Sequence, residues 1–167
     1  MISDRVSGTR VIRTALPAEA ESVAALHARA RATYYPDGVP EDGRDWLAAW
    51  RGVIERPDAH VLCVVESGRI VAVASFRVPE GGAADTVALF QFHVDPGRWR
   101  SGLGTDLHAA CVEQWRADGR RTAVLDVHVD NERAQGFYVR QGWVTDAGDG
   151  GHHLGMRLVV AGERAGE

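Results

Sequence analysis

Apolar residues recur along this chain at two periods, one helical and one alternating, and each change of period marks a predicted element. After a polar, fraying stretch at residues 1–9, Val11-Ile12-Arg13 begins a short strand. Ala20, Val23, Ala24, Leu26 and His27 then fall near helical spacing, with Pro17 suited to the first turn and Tyr34-Tyr35-Pro36 ending the helix. A turn-rich segment from Tyr35 to Gly43 leads to a second amphipathic helix, marked by Trp46, Leu47, Trp50, Val53 and Ile54 and closed at Pro57-Asp58.

Two apolar runs, Val61 to Val65 and Arg69 to Phe76, flank Glu66-Ser67-Gly68, the pattern of antiparallel strands joined by a tight hairpin. Pro79 to Asp85 is glycine-rich and reads as a mobile loop, and Val87 to Val94 reads as a strand. The helix after it carries Leu103, Leu107, Cys111 and Trp115 every fourth residue, which defines its core face, and Gly119 suits its end. Thr122 to Val129 is expected to run parallel to the preceding strand, because a helical crossover connects the two. A helix from Asn131 to Gln141 ends at Gly142, and Trp143 to Asp146 and His153 to Val160 form a closing strand pair across the turn-prone segment Ala147 to Gly151. No internal repeat interrupts this mixed order, so the class is α/β.

Composition narrows the picture. With 167 residues, 45% of them hydrophobic and 25% charged, the chain suits one domain, placed at residues 10–161, with flexible ends at 1–9 and 162–167. A net charge of −4 offers no electrostatic footprint for nucleic acid. No apolar run reaches the roughly 18 residues of a membrane span and no basic-then-apolar leader opens the chain, so no membrane partner and a cytoplasmic address are expected. Lysine is absent, which excludes lysine self-acetylation. Cys63 and Cys111 both lie in apolar patterns and read as buried reduced thiols.

The chemistry concentrates in two blocks. From Val94 to Thr105 the chain leaves a strand, turns and enters a helix, with Gly102 and Gly104 at the helix start. A helix start offers backbone N–H groups and the positive end of the peptide dipole, and the glycines let a pyrophosphate approach closely. The second block, Asn131-Glu132-Arg133-Ala134-Gln135-Gly136-Phe137-Tyr138-Val139-Arg140-Gln141-Gly142-Trp143, is a helix with a tyrosine near its end. His152-His153 has no third ligand at diagnostic spacing, so no metal is expected.

Together the two blocks resemble the acetyl-CoA-dependent GNAT N-acetyltransferase superfamily, whose loop reads Gln/Arg-x-x-Gly-x-Gly/Ala and whose later block reads Asn-x-x-Ala-x-x-Phe/Leu-Tyr-x-x-x-Gly-Phe. Trp143 stands for the final Phe, and Trp99 stands where the loop usually carries Gln or Arg. The resemblance implies the GNAT fold, a mostly antiparallel sheet whose two central parallel strands splay around the pantetheine arm, near Val94 and Val127. It implies acetyl-CoA as co-substrate, cradled by the backbone of Arg100, Ser101, Gly102, Leu103, Gly104 and Thr105. Phe92, His93 and Val94 would pair with the pantetheine and acetyl group, and Asn131 would touch the same arm or serve as an N-cap.

By the same resemblance Tyr138 is the general acid for the leaving thiolate. Asp126 occupies the place of a glutamate general base, directly or through water, or it is a solvated strand residue. His93 and His128 are the other candidate proton acceptors at neutral pH. The implied activity is transfer of an acetyl group to a primary amine, of a small molecule, amino acid, antibiotic or peptide N-terminus, by direct attack in a ternary complex. A non-catalytic acyl-CoA sensor of the same fold is the alternative, and a homodimer is left open. Tyr34, Tyr35, Asp37, Glu41 and Asp42 lie where the family shapes its acceptor pocket, either to receive a cation or as a solvated turn.

Overall fold

The computed structural model describes residues 10–35, 37–39, 43–146 and 151–160. The expected flexible ends, Glu41, Asp42 and most of the turn at 147–151 lie outside the described residues. Among the described residues seven strands are hydrogen-bonded in the order β1-β2-β3-β4-β5-β7-β6, where β1 is Arg10–Thr14, β2 His60–Glu66, β3 Arg69–Arg77, β4 Thr86–Val94, β5 Thr122–His128, β6 Val144–Thr145 and β7 His153–Val159. Among the described residues four α-helices accompany them: α1 Ala20–Ala32, α2 Trp46–Glu55, α3 Leu103–Ala117 and α4 Glu132–Arg140. The mixed α/β class and mostly antiparallel sheet expected from the sequence are those observed.

Element ends move by a residue or two. Pro17 heads a separate 3-10 turn, Pro17–Glu19, instead of opening α1, because the Glu19 carboxylate reaches back to the Leu16 N–H at 2.8 Å and is held by Arg13 at 2.7 Å. α1 stops at Ala32, and the Thr33 hydroxyl donates to the Ala30 carbonyl at 2.6 Å. The β2–β3 hairpin turns through Ser67 and Gly68, both at positive φ (51° and 78°), the geometry that matches strand twist in a two-residue loop.

The chain forms two compact units, and the division falls within β3, β4 and α3. One takes the chain through Ser75 together with Gln91–Ala110. Its core gathers Val23, Leu26, Trp50, Val61, Cys63 and Val73, with Trp46, Val53, Ile54 and Ile70 packed against them. Each fully buried aliphatic side chain contributes roughly 1.5–3 kcal/mol.

The other unit takes Phe76–Phe90 and the chain from Cys111 onward. Trp115 stands edge-on to Phe76 at 5.5 Å and to Trp143 at 6.3 Å, and Tyr138 meets Trp143 at 5.7 Å. These offset ring contacts add to the burial energy of each aromatic. Within this unit β4 and β5 pair in parallel only from Thr86↔Thr122 to Ala88↔Val124, although β4 continues to Val94 and β5 to His128. The expected parallel pair is thus present and short.

Candidate active site

The turn after β4 is built by side chains that close it on itself. The Asp95 carboxylate accepts from Gly97 N–H at 3.0 Å, starting a 3-10 turn at Pro96–Arg98, and the Ser101 hydroxyl donates to the Arg98 carbonyl at 2.6 Å. Trp99 turns its indole N–H inward, onto the Val94 carbonyl at 3.3 Å, and so ties the turn to the end of the strand. The polar chain usual at this position is replaced by a donor spent on the scaffold.

Arg100 and Gly102 adopt left-handed conformations, φ 69° and 84°. At Gly102 nothing lies within 4 Å of an added Cβ, so glycine is needed there for its backbone angle and not for space. The helical ladder of α3 begins with Asp106 N–H on the Gly102 carbonyl at 3.0 Å. The N–H groups of Leu103, Gly104 and Thr105 therefore precede it, at the positive end of the helix dipole. Ser101, Gly102 and Thr105 are exposed, while Leu103 anchors the helix start in the core.

A carboxylate in this first turn would oppose an anion, and here it is neutralised. Arg10 of β1 pairs with Asp106 at 2.7 Å and also donates to the Ser101 carbonyl at 3.3 Å and to Glu66 at 3.4 Å. Arg98 adds a second cation on Glu66 at 2.6 Å. Sequence reasoning passed over Arg10, because nothing local links a residue of β1 to a turn some ninety positions later.

On β4 of the same unit, Phe92 meets His108 of α3, ring centroids 6.3 Å apart, while His93 stacks on His27 of α1 at 4.4 Å. His27 Nδ1 accepts the Trp50 indole N–H at 3.1 Å, and Trp46 stands edge-on to the same imidazole at 4.5 Å. His93 Nε2 lies 2.7 Å from the Gln91 side-chain oxygen, which only accepts, so the imidazole proton resides on Nε2. Removal from water, then the His27 ring and the Arg31 cation, push the His93 pKa down to about 3. As a proton acceptor at neutral pH it is therefore weak. Burial alone lowers His108 to about 4.

The other unit carries the remaining candidates. Tyr138 is buried on α4 between Phe137 and Trp143. Asn131 is the N-cap of that helix, its side-chain oxygen accepting from Ala134 N–H at 3.2 Å. Asp126 is exposed on β5 opposite Gly155 of β7, where an added Cβ would come within 3.7 Å of its carboxylate. His128 Nδ1 accepts the Asp130 N–H at 3.1 Å, so its basic nitrogen is engaged by the backbone. Gln135 holds the carbonyls of His128 and Val129 at 3.1 and 2.9 Å, joining the end of β5 to α4.

The two cysteines are buried free thiols, as the pattern implied, and burial pushes Cys63 up to about 11 and Cys111 higher still. Among the described residues no group of three His, Cys, Asp or Glu is placed to hold a metal, and no helix is long and apolar enough to cross a membrane.

Residues 21–143 match the family model described as the acetyltransferase (GNAT) family. No curated protein matches the chain. Among solved structures it is similar to the PaiA N-acetyltransferase of Thermoplasma acidophilum in complex with coenzyme A, at TM-score 0.76 and 16% identity over 90% of this chain and 99% of that one. The ribosomal-protein-S18-alanine N-acetyltransferase of Escherichia coli gives 0.72 and 19% over 93% and 98%. A nourseothricin acetyltransferase gives 0.66 and 22% over 91% and 99%. At these identities the likeness to the solved structures is one of fold.

Proposed function

Because the chain belongs to the GNAT acetyltransferase family, and is thereby an acyltransferase with acetyl-CoA as co-substrate, we propose that it acetylates a primary amine by direct attack in a ternary complex. The observation that carries this reading is the turn from Val94 to Thr105. Left-handed Arg100 and Gly102 deliver the chain into α3, and the N–H groups of Leu103, Gly104 and Thr105 precede its ladder at a helix start where Ser101, Gly102 and Thr105 are exposed. Such an end binds pyrophosphate through backbone donors and dipole together, and the Arg10–Asp106 pair removes the one carboxylate in the first turn that would repel it.

Acetyl-CoA supplies the activated thioester carbonyl, and the chain supplies position and protons. We assign the pantetheine arm to the edge offered by Phe92, His93 and Val94, beyond the last β4–β5 pair at Ala88 and Val124. Alignment of amine and thioester is worth more than any single proton transfer. Tyr138 is the general acid: a phenol of ordinary pKa about 10 gives its proton to a thiolate whose conjugate acid sits near 8.5 in a cysteine model. Asp126 takes the proton of the incoming ammonium, directly or through water. The engagement of His128 Nδ1 and the depressed pKa of His93 favour it over either imidazole. Asn131 uses its side-chain oxygen as the cap, which leaves its amide nitrogen as the group assigned to the arm.

Gly104→Glu tests the cradle by placing bulk and negative charge at the helix start. Calorimetry is expected to show CoA affinity reduced about a hundredfold or more, in line with a charge repelled where one was bound. Equal affinity in variant and wild type would remove the cradle from the mechanism.

A further inference from the structure

We propose that Arg10 of β1 is a positioning residue of the coenzyme A cradle, through which the first strand sets the affinity of the helix start for its anion. The proposal rests on the acetyl-transfer reading and deepens it at the same site. Each nitrogen of the guanidinium takes a different acceptor: Nη1 the Asp106 carboxylate at 2.7 Å, Nη2 the Ser101 carbonyl at 3.3 Å and Nε the Glu66 carboxylate at 3.4 Å. Arg10 and Glu66 stand directly opposite each other in the antiparallel β1–β2 register, and Glu66 also pairs with Arg98 of the turn at 2.6 Å. Asp106, Arg10, Glu66 and Arg98 thus alternate in sign along one run of contacts, from the first turn of α3 back to the turn that precedes it, all within one compact unit.

These contacts act on the cradle in two ways. Asp106 suits the first turn of α3, where its charge complements the positive end of the dipole, but a pyrophosphate would use that same end. Left uncancelled, the carboxylate supports the helix and opposes the ligand; paired with Arg10 it supports the helix alone. The second effect is on the backbone, because Ser101 lies between left-handed Arg100 and Gly102. Its carbonyl and the Gly102 N–H belong to one trans peptide and point in opposite directions, so the Arg10 contact on the carbonyl fixes the direction of that N–H at the entrance to the helix. A lysine would keep the charge but has no planar fork to span three acceptors at once. Glu66, on the far side of the guanidinium, holds the fork across the strand pair.

The test is calorimetry of CoA binding to the full chain, in the wild type and in Arg10→Gln, Arg10→Lys, Asp106→Asn and the double variant Arg10→Gln/Asp106→Asn. Arg10→Gln is expected to weaken CoA about tenfold, and adding Asp106→Asn to recover about threefold or more of that loss. Arg10→Lys is expected to fall between Arg10→Gln and wild type, and Asp106→Asn alone, at an exposed position, is expected not to weaken CoA. The gap between Arg10→Gln and wild type should narrow as salt rises from about 0.05 M to about 0.5 M, because screening acts on Asp106 and not on a packing fault. Thermal unfolding reports which variants are folded at the assay temperature; should Arg10→Gln not be, Arg10→Lys with and without Asp106→Asn carries the same comparison. Wild-type affinity in Arg10→Gln, no recovery in the double variant, or weaker CoA binding by Asp106→Asn would each overturn the proposal. Normal CoA binding by Gly104→Glu would instead undercut the cradle itself, whereas loss of CoA by Gly104→Glu with wild-type affinity in Arg10→Gln would remove only the role of Arg10.

Discussion

His27 of α1 and His93 of β4 lie ring on ring, centroids 4.4 Å apart and planes 26° apart, and both present defined nitrogens to neutral partners. Trp50 N–H donates to His27 Nδ1, and the Gln91 oxygen accepts from His93 Nε2–H. Removal from water and, after it, the His27 ring and the Arg31 cation disfavour a charge on the His93 imidazole.

Stability should follow that constraint. His93 titrates at about 3 in the folded protein against an ordinary 6.5, so the unfolded chain binds the extra proton first. Its contribution is fully present above pH 6.5 and is lost as pH falls from 6.5 toward 3, at up to about 1.4 kcal/mol per pH unit. His108, lowered to about 4, adds to the same window. Urea midpoints measured from pH 7.5 to 4.5 should fall with acid in the wild type and fall less steeply in His93→Gln. Parallel curves would show that His93 is not held neutral by the fold.

Tyr138→Phe should lower kcat by about 10²–10⁴-fold, the range of general acid catalysis, while CoA affinity changes little. The ring contact with Trp143 at 5.7 Å needs no hydroxyl. Single-turnover kinetics with an identified acceptor provide the check, and an unchanged chemical step would remove Tyr138 from proton transfer.

Asp126→Asn separates a base from a solvated strand residue. If the carboxylate takes the ammonium proton, the rate loss should be largest at low pH, where few acceptor molecules are neutral, and should shrink as pH approaches the amine's own pKa. A variant pH–rate profile that keeps a constant ratio to wild type would return Asp126 to a structural role beside Gly155.

Reading the sequence alone succeeded wherever a feature is carried by neighbours in the chain. The four-residue spacing of Leu103, Leu107, Cys111 and Trp115 determined the buried face of α3, and all four are essentially inaccessible. Glu66-Ser67-Gly68 determined a tight hairpin, and the glycines after Trp99 determined a turn into a helix start, because backbone sterics act locally. The two motif blocks also carried the family, since each is a continuous run of residues.

What the tertiary structure decided involves partners far apart in sequence. No periodicity foretells that Trp99 spends its indole on the Val94 carbonyl, that Arg10 neutralises Asp106, or that His27 covers His93. Nor does it foretell that the Arg31 guanidinium stands 5.6 Å from the rings of Tyr35 and of Trp46 of the next helix. Hydrophobic period sets which face of an element is buried, but only packing sets which polar group meets which. Burial then sets the protonation of groups such as His93, because the cost of charge depends on everything that displaces water around it.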